Sequence, residues 1–219
     1  MVTARRVREF FDRHALAYDA RFAGGALATA WARLSRPAVF DRLRAATSLV
    51  RSLDRPDVLD LGCGNGLGVI AMADAGARSI TGVDFSARML DIARRRVAAR
   101  PRDAACDAAI DLVEGDILTW PGAPRGWDLV VALGVLEYYP DASGLLARMA
   151  ELTRAWALFS VRAWTLLRGA IRARHYARAQ CPIHFLDRPA IEGLCARASF
   201  GSWTVTPARW GSHLVLARR

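Results

Sequence analysis

The stretch VLDLGCGNGLG, residues 58–68, sets Asp60 ahead of Gly62, Gly64 and Gly66 at alternate positions, and a second aspartate, Asp84, closes the apolar run SITGVD. An apolar run that breaks into alternating glycines before a helical pattern begins reads as a strand, a tight loop and a helix. Lacking side chains, such a loop lets backbone N–H groups approach a ligand, and the helix N-terminus adds partial positive charge. It is a cradle for a small molecule. The dinucleotide version needs G-x-G-x-x-G, and here Leu67 stands where that pattern wants its third glycine. Asp84 follows Asp60 by 24 positions, close to the spacing at which an acid ending the second strand accepts hydrogen bonds from ribose hydroxyls. The plain alternative for Asp84 is the cap of the next helix.

Asp60-x-Gly62-x-Gly64-x-Gly66 closely resembles the first motif of the class I S-adenosylmethionine-dependent methyltransferases, and three further elements follow in order across about residues 58–160. The resemblance implies S-adenosylmethionine as cofactor, S-adenosylhomocysteine as product and no metal. It lays Asp60, Gly62, Cys63, Gly64 and Gly66 against the methionine portion and ribose, with Asp84 on the ribose. It builds the adenine pocket from Phe85, Ser86 and Met89, then from Gly115, Asp116 and Ile117 of VEGDILTW. There the Asp116 carboxylate accepts from the adenine amino group and Ile117 covers the ring. Leu133, Gly134, Val135 and Glu137 mark the end of the fourth strand, where cofactor meets acceptor.

Methyl transfer is an in-line displacement, so the protein mainly positions the nucleophile, excludes water and, where needed, removes a proton. The fourth-strand loop, ALGVLEYY, lacks the Asn/Asp-Pro-Pro-Tyr-like motif of enzymes of this fold that methylate amino groups of nucleic acids, and none of the four cysteines sits in a nucleobase C5 motif. Nucleic acid is therefore not the expected partner; a small-molecule acceptor is, in natural-product or cofactor biosynthesis, through an O, N or C nucleophile. The candidate acid–base residues are His14, Glu137, Tyr138, Tyr139, His175 and His184, with His14, Tyr138, His175 and His184 put forward as catalytic. Tyr18, in FFDRHALAYDARF, is expected to face the methionine carboxylate or the acceptor.

These residues need a scaffold. From Asp57 onward, short apolar runs alternate with helical stretches, the pattern of βαβ units and a parallel sheet. Strands are expected at 57–61, 79–83, 110–113, 127–132 and 155–161, and helices at 66–75, 86–99, 142–153 and about 187–198. Two further strands, 201–207 and 212–217, joined by a loop with Trp210 and Gly211, suggest an antiparallel hairpin finishing the sheet. The fold class is thus α/β, a Rossmann-like three-layer sandwich. Residues 1–56 form its N-terminal helical lid: one helix at 3–18, with Val7, Phe10, Phe11 and Ala15 on one side, then one or two helices over 26–52. The latter offer Leu27, Trp31, Leu34, Phe40 and Leu43 as apolar contacts, with a break or new start at Pro37. Residues 57–219 form the methyltransferase domain, with a substrate-side insert at about 162–185.

The 219 residues, 53% of them hydrophobic, exclude a disordered chain, and no apolar run is long enough to span a bilayer. The N-terminus lacks the pattern of a signal peptide, and Cys63, Cys106, Cys181 and Cys195 form neither a CxxC pair nor a disulfide framework, which fits a reducing cytoplasm. All 31 basic residues are arginine, and the net charge is +10. The charge is uneven: residues 58–155 hold 10 arginines against 13 acids, whereas residues 156–219 hold 10 against 2. The insert carries Arg162, Arg168, Arg172, Arg174 and Arg178 with no acid, so it is expected to be mobile until an anionic acceptor orders it. A membrane surface presented to the basic ends, with a phospholipid headgroup or isoprenoid-type acceptor, is the alternative partner. A cofactor-binding scaffold without turnover is the alternative from another class. Oligomeric state is not legible.

Overall fold

The computed structural model describes residues 2–20, 37–100, 107–209 and 211–219. Seven strands form one sheet in the order β3-β2-β1-β4-β5-β7-β6. They are β1 (Asp57–Leu61), β2 (Ser79–Asp84), β3 (Ala109–Glu114), β4 (Trp127–Ala132), β5 (Thr153–Arg162), β6 (Ser202–Ala208) and β7 (Ser212–Arg218). The first five run parallel, and β7 is antiparallel to both β5 and β6. The expected parallel sheet with a C-terminal antiparallel hairpin is the observed one. The sequence order turns back between β1 and β4, the switch point at which open α/β sheets open a crevice beyond their strand ends.

Alternation along the central strands divides the core in two. Leu59, Leu61, Val130, Ala132, Ala157, Phe159 and Val161 face one side, where α5 (Ser143–Leu152) and α7 (Arg188–Arg197) cover them with Leu145, Leu146, Met149, Ile191 and Leu194. Val58, Leu129, Val131 and Leu158 face the other, under α2 (Pro37–Ser52), α3 (Leu67–Asp74) and α4 (Ala87–Ala98). Both faces are covered, so the strands read as continuous apolar runs, and the core has three layers. Helix α2 starts at Pro37, whose fixed φ suits a first helical turn. The expected contacts Leu27, Trp31 and Leu34, the loop residue Trp210 and Cys106 lie outside the described residues.

Helix α1 (Val2–Asp19) packs on α4, where Ala15 meets Met89 and Ile92, flanked by Phe11 and Tyr18. Polar ties fasten it to α4 and the glycine loop. The Ser86 hydroxyl donates to Asp12 at 2.5 Å, and Asp19 accepts from Arg96 at 2.7 Å and from Asn65 at 2.9 Å.

Three features add to the sequence expectation. A 3-10 turn, Leu136–Tyr138, follows β4, and the insert contains a helix, α6 (Leu166–Arg178). Helical geometry spreads the insert's arginines around the circumference: Arg174 and Arg178 are exposed, whereas Arg172 is half-buried. Strand β5 is also longer than expected, because its pairing with β7 runs from Trp156 opposite Arg218 to Arg162 opposite Ser212.

Candidate functional site

The ends of β1, β2, β3 and β4 open into a cavity of about 1270 Å³, closed on its other sides by residues of α1, α2 and α6. Its acidic half is built by the glycine loop and Asp84. The Gly64 amide donates to Asp84 Oδ2 at 2.8 Å, and the Ser86 amide donates to Oδ1 at 2.9 Å. Ser86, not Asp84, caps α4: its hydroxyl oxygen accepts from the Met89 amide at 3.2 Å. Burial pushes the Asp84 carboxyl up to about 6, against the pull of its backbone donors. Asp60 is pushed up to about 7, first by burial and then by the charge of Asp84. Its side chain accepts no hydrogen bond from the described residues.

The loop glycines serve different ends. At Gly66, with φ +76°, an added Cβ would stand 2.9 Å from Ala93 Cβ, so this glycine lets α4 pack against the loop. Gly64 has φ +54° but open space where its Cβ would point, on the cavity wall. Leu67 and Gly68, in the first turn of α3, line the cavity too, and that helix has no side-chain cap.

The opposite half is aromatic and basic. Tyr138 and Tyr176 bring their hydroxyls within 3.2 Å of each other, tying the 3-10 turn to α6. Phe11 meets Tyr138 edge-on at 5.2 Å, and Phe10 lies 5.6 Å from Tyr176, so α1 joins the same cluster. Burial raises the Tyr138 phenol well above its ordinary value, aided by the neighbouring Tyr176 and Glu137. Beneath lies an ionic cluster. Glu137 Oε1 is 3.2 Å from Arg162 Nε and 3.6 Å from Arg42 Nη2, and Glu137 and Arg42 are only 3% and 6% exposed. Glu137 Oε2 and the Nε and Nη2 atoms of Arg42 are buried without a hydrogen-bond partner.

Every residue expected around the cofactor lines this cavity except Gly66 and Ser86, whose hydroxyl is spent on Asp12 and the cap of α4. Tyr18 therefore shares a space with Asp60, Asp84, Phe85, Met89, Asp116, Ile117 and Leu133. Of the candidate acid–base residues, Glu137, Tyr138, Tyr139 and His175 line it, and His14 and His184 do not. The exposed His14 ring sits on its own helix, with Nδ1 2.8 Å from the Phe10 carbonyl oxygen. His184 donates its backbone N–H to the Glu137 carbonyl at 2.7 Å, and burial lowers its imidazole pKa. Among the described residues, no group of three or more His, Cys, Asp or Glu side chains is placed to hold a metal ion. Sequence reasoning missed Arg42 as a lining residue. Within α2 it reads as one arginine among several, and only the distant Glu137 explains its burial.

Comparison with known proteins agrees with this geometry. Residues 58–155 match the methyltransferase domain family. The magnesium-protoporphyrin O-methyltransferase of Rhodobacter capsulatus is 31% identical over 167 residues, covering 71% of this chain and 68% of that protein. The ubiquinone biosynthesis O-methyltransferases of Thiobacillus denitrificans and Idiomarina loihiensis are 32% and 33% identical, over 47% and 54% of this chain. The chain spans 43% and 48% of those two proteins, about half their length. Among solved structures, magnesium protoporphyrin IX methyltransferase from Synechocystis with bound S-adenosylhomocysteine superposes with a TM-score of 0.75 at 22% identity, covering 97% of each chain. A phosphoethanolamine N-methyltransferase from Haemonchus contortus gives 0.72 at 16% identity, over 97% of this chain and 60% of that one. With an acid at the end of β2 facing a glycine loop after β1, and a relative of this identity and coverage, the chain belongs to the class I S-adenosylmethionine-dependent methyltransferases.

Proposed function

We propose that this chain transfers a methyl group from S-adenosylmethionine to an oxygen of a small molecule, in the biosynthesis of a cofactor or related natural product. The observation that carries this reading is the division of one cavity: acids and open glycine backbone on one side, tyrosines and arginines on the other. The cavity fits the cofactor's chemistry. Asp60 and Asp84 are buried acids that gain from cationic groups and hydroxyl donors. Arg42, which lines the cavity and shares the one charge of Glu137 with Arg162, suits a carboxylate. Phe85, Met89 and Ile117 offer an apolar slot beside Asp116. Bound there, the cofactor supplies an activated methyl group and its own leaving group.

The chain's own residues then have three tasks. Asp84 and the Gly64 amide it holds fix the cofactor half. Helices α1 and α6 exclude water by closing the aromatic cluster over the cavity. Tyr138, whose raised pKa keeps its proton in place near neutral pH, orients an acceptor oxygen by donating to it and does not act as a base. His175, exposed at the mouth, is the lining imidazole available to take a proton from an acceptor that must lose one. The named O-methyltransferase relatives support oxygen as the nucleophile. The free, buried thiols of Cys63, Cys181 and Cys195 suit a reducing cytoplasm. Among the described residues no helix is long and apolar enough to cross a membrane.

The test is production of S-adenosylhomocysteine when the protein is supplied with S-adenosylmethionine and a mixture of phenolic and carboxylic small molecules. Turnover that requires the mixture supports the reading. Cofactor binding with no turnover on any acceptor would favour a non-catalytic scaffold.

A further inference from the structure

We infer that the acceptor carries one carboxylate anchored by Arg172, with an apolar body lying toward the cavity mouth. The inference deepens the cofactor reading above and rests on it. Five of the described arginines line the cavity; Arg5 and Arg8 are paired with Glu9 and Glu114, which leaves Arg42, Arg162 and Arg172. Among the described residues one carboxylate, Glu137, is set among them, and its ion pairs are with Arg42 and Arg162. Arg172 is half-buried and makes no ion pair or hydrogen bond with the described residues. Burial opposes its charge most, Arg162 adds to the cost, and Tyr176, Glu137 and Tyr138 offset part of it. The other acids on the lining near the mouth are occupied: Asp141 accepts from the Ser143 amide and hydroxyl, Asp116 from the Leu118 amide, and Glu114 from Arg8.

Charge therefore favours two anionic groups against this wall. The cofactor brings one carboxylate, which suits Arg42. What remains is a single positive charge, centred on Arg172, and its complement is a monoanion. A guanidinium fork matches a carboxylate in shape, and the paired Tyr138 and Tyr176 hydroxyls add a donor beside it. At the mouth, Ile171 and Leu118 line the same cavity while 61% and 41% exposed. Exposed apolar side chains at the rim of a charged cavity suit a ligand with an apolar body beyond its acid group. Arg174, the other arginine in the middle of the helix, is exposed and does not line the cavity, so it takes no part.

The experiment is calorimetric titration of the full chain, saturated with S-adenosylhomocysteine, with 3-phenylpropionate and with its uncharged amide, 3-phenylpropionamide. The acid is expected to bind at least about tenfold more tightly than the amide, the scale of a hydrogen bond to a charged group. Arg172→Gln should abolish that preference, Arg172→Lys should keep part of it, and Arg174→Gln should leave it intact. The preference should shrink as salt rises. Unchanged S-adenosylhomocysteine affinity in Arg172→Gln shows that the variant is folded. Equal affinities for acid and amide, no binding of the acid, or a preference that survives in Arg172→Gln overturns the inference while leaving the methyltransferase reading in place. Failure of the wild-type chain to bind S-adenosylhomocysteine overturns both.

Discussion

The Gly64 amide and the Asp84 carboxylate meet across 2.8 Å, joining the loop after β1 to the end of β2. The acid thus fixes the shape of the glycine loop before any ligand arrives, and its carboxylate lies on the cavity wall. Asp84→Ala is expected to weaken S-adenosylhomocysteine binding by about 1.5–3 kcal/mol, the value of a charged hydrogen bond. Because Ser86 supplies the cap of α4, the helix itself should persist. Titration calorimetry with circular dichroism on the same sample checks both halves.

Cofactor affinity should depend on pH through the two buried acids. Asp84 and Asp60 titrate near 6 and 7 in the ligand-free protein. Ligand cations and hydroxyl donors favour the ionised acids, so affinity should rise between about pH 5 and pH 8. Asp60→Asn should remove the upper part of that rise. A flat profile in the wild type would show that neither carboxylate meets the ligand.

The same acids set the sign of the stability profile. Their folded pKa values lie above the unfolded value near 3.8, so the folded chain holds protons that the unfolded chain has released. Their contribution to stability is therefore full below that value and falls as pH rises toward 7. Asp41 and Asp57 act in the opposite sense. Hydrogen bonds from Arg209 and Arg78 hold their carboxyls below the ordinary value, and that stabilisation is lost as pH falls through their folded pKa values. Thermal melts of the ligand-free chain should peak in mildly acid buffer, and S-adenosylhomocysteine should move the peak upward in pH.

Glu137→Ala leaves the buried Arg42 without its counter-charge, so it is expected to cost about 3 kcal/mol of folding stability. Arg209→Ala, which breaks an exposed pair with Asp41, should change stability little. Gly66→Ala combines a left-handed φ with a 2.9 Å clash against Ala93, and about 1–3 kcal/mol is expected. Urea denaturation of the three variants ranks them.

The cofactor half was legible because its signals are local. A strand, three alternating glycines and an acid at each strand end are set by short-range geometry, and the alternation of apolar runs with helical stretches marked the sheet order's raw material. The acceptor half was not, because it is made by contacts between distant segments. Arg42 acquires its role only when the turn after β4 brings Glu137 beside it. Tyr176 matters because α6 folds back to meet Tyr138, and nothing in the insert's own sequence states that. Titration range alone favours histidines, yet His14 spends its imidazole on its own helix and His184, tied to the turn by its backbone N–H, does not line the cavity. The arginines of the insert were read as one charge cluster, whereas helical periodicity separates Arg172 from Arg174.

The cavity beyond β1 and β2 is shaped to hold S-adenosylmethionine. Calorimetric titration of the wild-type chain with S-adenosylhomocysteine and, separately, with NAD tests it most directly. Saturable one-to-one binding of S-adenosylhomocysteine is expected, weakened about tenfold or more by Asp84→Ala, with no comparable binding of NAD. NAD binding more tightly than S-adenosylhomocysteine, or wild-type affinity in Asp84→Ala, would contradict it.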